Sequence, residues 1–261
     1  MPISYSVDDG VGVIVLDRPD VLNAFDAELG IQMLNAVQQA SDDDDVRCIV
    51  ITGAGRAFCS GEDLGALAEG YERGEVPELG QTLVDRYNPL IRAIRRAPKP
   101  VLAVVNGVAA GAGVSLALAC DYRLASEHGK LVIAFIKVGL VPDSGAVWFL
   151  SKMIGEARAL QLATTERVVG ADEALSLGLF DEVVPAGELE AQWKDKARAL
   201  ADGPTRAFAL TKKLVHGASE RTLDDQLEDE VAAQTEAGRT ADHLEGVQAF
   251  LAKRTPKFQG R

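Results

Sequence analysis

The 261-residue sequence predicts an α/β protein, and three observations carry that reading. Apolar runs of strand length, CIVITG at 48 to 53 and VLAVVN at 101 to 106, alternate with segments of helical periodicity. The order strand, helix, strand, helix suggests mostly parallel pairing. The last third of the chain, in contrast, carries the helix period almost alone.

Taken in order, Ile3, Tyr5 and Val7 alternate with polar residues, as do Val11, Val13 and Val15, around the turn Asp8-Asp9-Gly10, which reads as a β-hairpin. Asp26 is placed to cap a helix from there to about residue 40, in which Leu29, Met33, Leu34 and Val37 recur on one face. The DDDD run at 42 to 45 reads as a solvated loop before the strand at 48 to 53. Residues 62 to 96 are helical in pattern, with an interruption from 70 to 77, and Pro98 and Pro100 end them. After the strand at 101 to 106, residues 112 to 119 form a short apolar helix, and 121 to 126 and 131 to 135 read as strands. Four helices are expected at 189 to 201, 205 to 216, 223 to 236 and 241 to 253.

Composition narrows the function. With 47% hydrophobic residues the chain can build one large domain or a domain with an appendage. No apolar run approaches the roughly 20 residues of a membrane span, and MPISYSVDDG has neither a basic nor an apolar leader segment, so a cytoplasmic location is the expectation. Cys48, Cys59 and Cys120 are odd in number and widely spaced, which gives no disulfide framework, and Cys120 is expected in the core. His128, His216 and His243 lack ligand spacing, so no metal is expected. A net charge of −12 argues against nucleic acid as a partner. Any basic groups that meet an anionic ligand must be local.

Two junctions share a design: ITGAGRAFCSGEDL at 51 to 64 and VVNGVAAGAGVSLALACD at 104 to 121. In each, a buried strand ends in small residues before a helix whose first N–H groups lack partners. Neither places GK[ST] at the Walker A spacing, and Phe58 stands where the third glycine of a dinucleotide fingerprint is needed. Either junction alone reads as tight packing of helix on strand. Two together read as paired donors able to hold an oxyanion.

With DRPDVLNAFD at 17 to 26, KPVLAVVNGVAAGAGVSLALACDYRLAS at 99 to 126, GLVPDSG at 139 to 145, ADEALSLGLFDEVVP at 171 to 185 and HLEGVQAFLAKRTPKFQG at 243 to 260, these stretches resemble the crotonase, or enoyl-CoA hydratase/isomerase, superfamily from one end of the chain to the other. The resemblance implies a crotonase-like spiral of ββα units over residues 1 to 200. It implies a C-terminal helical region, 201 to 261, that makes trimers or hexamers built as two trimers and contributes to the acyl-CoA pocket. The implied ligand is an acyl-CoA thioester, with no cofactor beyond the coenzyme A of the substrate. The thioester oxygen would accept the backbone N–H groups of Glu62 and Ala112, whose side chains are incidental in that role. Ser60, Gly61, Asp63, Leu64, Gly65 and Gly111 would line the path. Arg18 and the basic tail at Lys253, Arg254 and Lys257 could meet the phosphates, although the tail also reads as a solvated helix end.

The family's hydratases carry two glutamates, and this chain has Ser115 and Phe135 at those places. Neither accepts a proton near neutral pH. The family's isomerases of the dienoyl-CoA and phenylacetate kinds instead carry an acid where Asp143 stands, and PDSG is closest to the phenylacetate-type ring-epoxide isomerases. The resemblance therefore implies an isomerase with Asp143 as its one base, expected to be buried among Phe135, Val138, Leu140 and Val141, with a raised pKa. The competing role for Asp143 is an N-cap of the helix AVWFLSKMI. Ser115 fills space or positions a substrate group, Trp148 is a pocket wall or core, and Asp63 is a local cap. Hydration, or a CoA-ester binding protein without useful catalysis, are the alternatives; hydrolase, dehalogenase and decarboxylase chemistries also occur on the scaffold.

Overall fold

The computed structural model describes residues 2 to 75 and 77 to 261. Its strands are β1 (Ile3–Asp8), β2 (Val11–Leu16), β3 (Cys48–Gly53), β4 (Ala57–Cys59), β5 (Val101–Val105), β6 (Val108–Ala110), β7 (Tyr122–Ser126), β8 (Lys130–Val132), β9 (Val168–Gly170) and β10 (Glu182–Val184). Its helices are α1 (Ala27–Asp42), α2 (Ala68–Glu72), α3 (Leu79–Thr82), α4 (Asn88–Arg96), α5 (Ala112–Ala119), α6 (Ala146–Ile154), α7 (Glu156–Thr164), α8 (Ala171–Ser176), α9 (Leu189–Ala201), α10 (Thr205–Gly217), α11 (Leu223–Ala237) and α12 (Ala241–Leu251).

Two sheets result. One runs β1-β2-β3-β5-β7-β10 and the other β4-β6-β8-β9. The hairpin β1/β2 is antiparallel, and from β2 onward the larger sheet is parallel. Asp9 and Gly10 both take positive φ, 51° and 82°, as the two-residue hairpin turn requires. Each of β3/β4, β5/β6 and β7/β8 places its first strand in one sheet and its second in the other, then passes to a helix. The repeating ββα spiral is thus real. Strands β3 and β5 and helix α5 are buried or nearly so throughout, the signature of parallel strands covered on both faces.

Asp26 caps α1, accepting the Leu29 N–H at 2.8 Å, and Lys99 closes its far end on the carbonyls of Ala40 and Asp43. The helical pattern expected over 62 to 96 needs correcting at its start: residues 64 to 67 form turns, and α2 (Ala68–Glu72) reaches into the interruption expected at 70 to 77, which begins in earnest where Gly74 turns left-handed at φ 75°; Val76 lies outside the described residues. Cys120 is buried, as expected.

The strand expected over 131 to 135 is a correction. β8 ends at Val132, where its partners β6 and β9 also run out, and Ala134–Val138 coil into a 3-10 turn closed by Gly139 at φ 72°. Ladder partners, not apolar character, set the strand's length. No helix among the described residues is long and apolar enough to cross a membrane.

Helix α9 packs Leu189, Ala197 and Ala201 on the outer face of the larger sheet. Helix α10 is tied to the core by a buried ion pair, Lys212 Nζ to Asp121 Oδ2 at 2.7 Å, with Lys212 also donating to the carbonyls of Ile94 and Lys99. Burial pushes the Asp121 carboxyl up and the Lys212 ammonium down despite their attraction. Such a pair fixes geometry more than it adds stability. Replacing Lys212 by Met strands the Asp121 charge, and chemical denaturation is expected to show a loss of about 3 to 5 kcal/mol; a loss under 1 kcal/mol would contradict this tie.

Candidate active site

The site is assembled where the two glycine-rich junctions meet. The first turn, between β3 and β4, is held by side-chain amides. Asn23 Nδ2 donates to the carbonyls of Ala54 and Ala57 at 2.9 and 2.8 Å, and Asn106 Nδ2 to those of Gly53 and Gly55 at 2.8 Å each. Asn23 is fully buried at φ 57°, a left-handed conformation that asparagine tolerates. Beyond β4, the Phe25 N–H donates to Gly61 O at 2.7 Å and the Asp63 N–H to Phe25 O at 2.8 Å, so the main chain on each side of Glu62 is fixed. Ser60 donates its N–H to Leu22 O and its hydroxyl to Val21 O. The Glu62 N–H itself has no protein acceptor among the described residues.

The second turn follows β6. Gly111 takes φ 51° and ψ −124°, its N–H bonded to Val132 O, and Ala112 then opens α5. The Ala112 N–H, at the first helical position, is likewise without a protein acceptor among the described residues. The turns touch. A Cβ on Gly61, at φ 91°, would lie 2.9 Å from Ala110 O and 3.4 Å from Ala112 N; one on Gly113 would lie 2.2 Å from Cys59 O. Only glycine permits this approach. Two unpaired N–H groups, one of them on the positive end of a buried helix, therefore stand at adjoining turns. That arrangement can stabilise negative charge on an oxygen.

Asp143 lies on the segment after the 3-10 turn. Its Oδ1 accepts the Ser144 hydroxyl at 2.8 Å, and its main-chain oxygen accepts the Ser115 hydroxyl at 3.0 Å and the Ala146 N–H at 2.9 Å. The carboxylate does not cap α6: the capping position is Gly145, with no side-chain cap. Burial raises the Asp143 pKa; the Ser144 hydrogen bond opposes this, and the Glu62 charge adds to it. The expected apolar enclosure needs correcting, because Val138 and Val141 are 53% and 78% exposed in the single chain while Phe135 is buried. Phe135 Cζ lies 3.9 Å from a Cβ built at Gly111, which places its ring on the second turn.

The other expected residues divide. Ser115 is fully buried and holds the Asp143 backbone, a role sequence reading missed. Arg18 is engaged within the chain: its guanidinium donates to Ala24 O and pairs with Asp26 at 3.2 Å and with Asp63 at 2.9 Å. Asp63 caps its own turn by accepting the Ala66 N–H, and Leu64 and Gly65 form an exposed rim. Trp148 is not core. It is 41% exposed, with Lys152 and Arg95 over its ring and its edge on Phe149. Lys257 is exposed on a tail bound through its backbone to Glu245, and Arg254 pairs with the same carboxylate. The Glu62 side chain, expected to be incidental, accepts hydrogen bonds from Tyr87 and Arg86. Asn106, polar at the end of an apolar strand, was the legible sign of the braced turn; Tyr87 and Arg86 gave no comparable signal.

Comparison with known proteins finds relatives over nearly the whole chain. Residues 6–261 match the enoyl-CoA hydratase/isomerase family model. The chain is 45% identical over 260 residues to a Rhodobacter capsulatus protein named a probable enoyl-CoA hydratase, covering 99% of this chain and 98% of that one. It is 43% identical over 255 residues to the Escherichia coli 1,2-epoxyphenylacetyl-CoA isomerase, covering 98% and 97%. The crystal structure of a Bacillus anthracis enoyl-CoA hydratase superposes with a TM-score of 0.93 at 32% identity over the whole of both chains.

Without the Ser115 bond the Asp143 main-chain oxygen keeps the Ala146 N–H as its donor. Ser115→Ala is expected to lower stability by about 1 kcal/mol in urea denaturation, with the fold retained; an unchanged midpoint would show that the hydroxyl does not hold this segment.

Proposed function

The chain belongs to the enoyl-CoA hydratase/isomerase family, and within it we propose an acyl-CoA isomerase that moves a double bond, or opens a ring epoxide, with Asp143 as its one base. The observation that carries this is the distribution of acids. Ser115 and Phe135 occupy the two places of the hydratase glutamates, and the one carboxylate on the 139 to 145 loop is not spent as a helix cap. The 43% identity to a 1,2-epoxyphenylacetyl-CoA isomerase points the same way.

In the proposed reaction the thioester oxygen accepts the N–H groups of Glu62 and Ala112. Asp143 takes a proton from one carbon, and the C–H electron pair moves into the conjugated system to place negative charge on that oxygen. The same proton returns two carbons away, so the double bond shifts with no net gain or loss of atoms. A base works best when its basicity is near the demand of the step, and burial moves Asp143 in that direction. No cofactor beyond the substrate's coenzyme A enters, and the chemistry is compatible with a cytoplasmic enzyme.

Hydration is the second reading, favoured by the name of the Rhodobacter capsulatus relative. It needs a group to activate water, and neither Ser115 nor Phe135 supplies one.

The C-terminal helices support assembly into a trimer or a dimer of trimers. Leu223, Leu227 and Val231 form a stripe of successive turns along α11, 50 to 73% exposed, and Phe250 and Leu251 of α12 are 82% and 75% exposed. Light scattering is expected to give three or six copies of the 27.7 kDa chain; a monomer would refute this assembly.

With a 3-enoyl-CoA in heavy water, the protein is expected to exchange substrate hydrogens and form the 2-enoyl isomer. Asp143→Asn should lower both rates by about 10²- to 10⁴-fold, and crotonyl-CoA hydration should be slow in either protein. Because the base acts ionised, the rate should fall as pH drops through the Asp143 pKa, above the ordinary aspartate range. Full exchange by Asp143→Asn, or rapid hydration, would defeat this reading.

A further inference from the structure

The Glu62 carboxylate is clamped. Oε1 accepts from Arg86 Nη1 at 3.1 Å and Oε2 from the Tyr87 hydroxyl. Tyr87 is buried, its ring edge-on to Phe25 at 5.5 Å between centroids. Arg86 runs across α1, and α1 is notched beneath it: a Cβ at Gly30 would stand 2.4 Å from Arg86 Cγ. A glycine inside a helix costs about 1 kcal/mol against alanine, so α1 carries a cost that clears this path. Arg86 and Tyr87 both lie in a π-helical turn, Leu83–Tyr87, a form common at functional sites.

The clamp is not needed to aim the Glu62 N–H, because the bonds to Phe25 already fix the main chain on both sides. What it adds is a carboxylate in a fixed place. Gly61 abuts Ala112 at the start of α5, and Ser115, one turn on, holds the Asp143 main chain. Glu62 and Asp143 thus flank the same helical turn. We propose that Glu62 is a positioning residue acting through Asp143: its carboxylate, clamped by Arg86 and Tyr87, is the second acid of the site, fixed beside the same turn of α5 that holds the Asp143 main chain. The inference rests on the reading of Asp143 as that base.

The surroundings leave Glu62 this role. Its charge disfavours ionised Asp143, in the same direction as burial. Helix α5 has no titratable side chain in Ala112–Ala119. Lys137 is turned to Glu166 at 3.9 Å, Arg95 lies over Phe149 and Trp148, Lys152 lies over Trp148, and Asp63 is paired with Arg18. Ser144 contributes an uncharged hydroxyl.

The test is the carboxyl ¹³C resonance of Asp143, assigned with Asp143→Asn in protein labelled at aspartate side-chain carbons and followed through a pH titration. Glu62→Gln keeps an acceptor for Tyr87 and removes the charge; the Asp143 midpoint is expected to move to lower pH. Gly30→Ala displaces the Arg86 counter-charge while leaving Glu62 in place, and the midpoint is expected to move to higher pH. An unmoved midpoint in Glu62→Gln, or an unmoved or lowered one in Gly30→Ala, overturns the proposal. The acidic limb of substrate hydrogen exchange should follow the midpoint. Absence of exchange in the wild-type protein at every pH would instead refute the isomerase reading, and the titration would still decide the charge coupling.

Discussion

The structure depends on the contact between two main-chain turns that no side chain could occupy. Gly61 sits against Ala110, Gly111 and Ala112, and Gly113 against Cys59, at separations a Cβ would close. That approach brings the unpaired N–H groups of Glu62 and Ala112 to one place. The rest of the fold holds that contact in place: the smaller sheet pairs β4 and β6 in parallel, and the wholly buried helix α5 starts at the same spot.

Bringing bare backbone together exposes carbonyls that must be satisfied. Asn23 and Asn106 do this for the first turn, and the Phe25 bridge does it around Glu62. Arg18 then fastens the Asp26 and Asp63 segments to one another. These polar groups fix the geometry of the two turns. Donors fixed in advance need no rearrangement when negative charge develops on an oxygen beside them, which is where an advantage over water would arise.

Much of this was legible in the sequence. The hairpin, α1 with its Asp26 cap, β3, β5, α5 and the C-terminal helices follow from periodicity, caps and turn residues, and the glycine junctions announced the donors. The three-residue strands β4, β6, β9 and β10 were not legible, because each exists through its neighbour in the sheet and is too short to show a period. The exposed Val138 and Val141 were misread for a related reason: apolar sequence signals burial somewhere, and in the single chain these side chains are not covered. The roles of Ser115 and Glu62 lie in contacts across 28 and 25 positions to Asp143 and Tyr87, which a linear reading does not reach.

The account stands on two backbone donors and one carboxylate converging on a thioester. A crystal structure with a bound, non-isomerisable acyl-CoA measures this directly. The thioester oxygen is expected within about 2.7 to 3.1 Å of the Glu62 and Ala112 nitrogens, with the Asp143 carboxylate facing the carbons beside the carbonyl. An oxygen bound elsewhere, or an Asp143 carboxylate turned to bulk solvent, would contradict it.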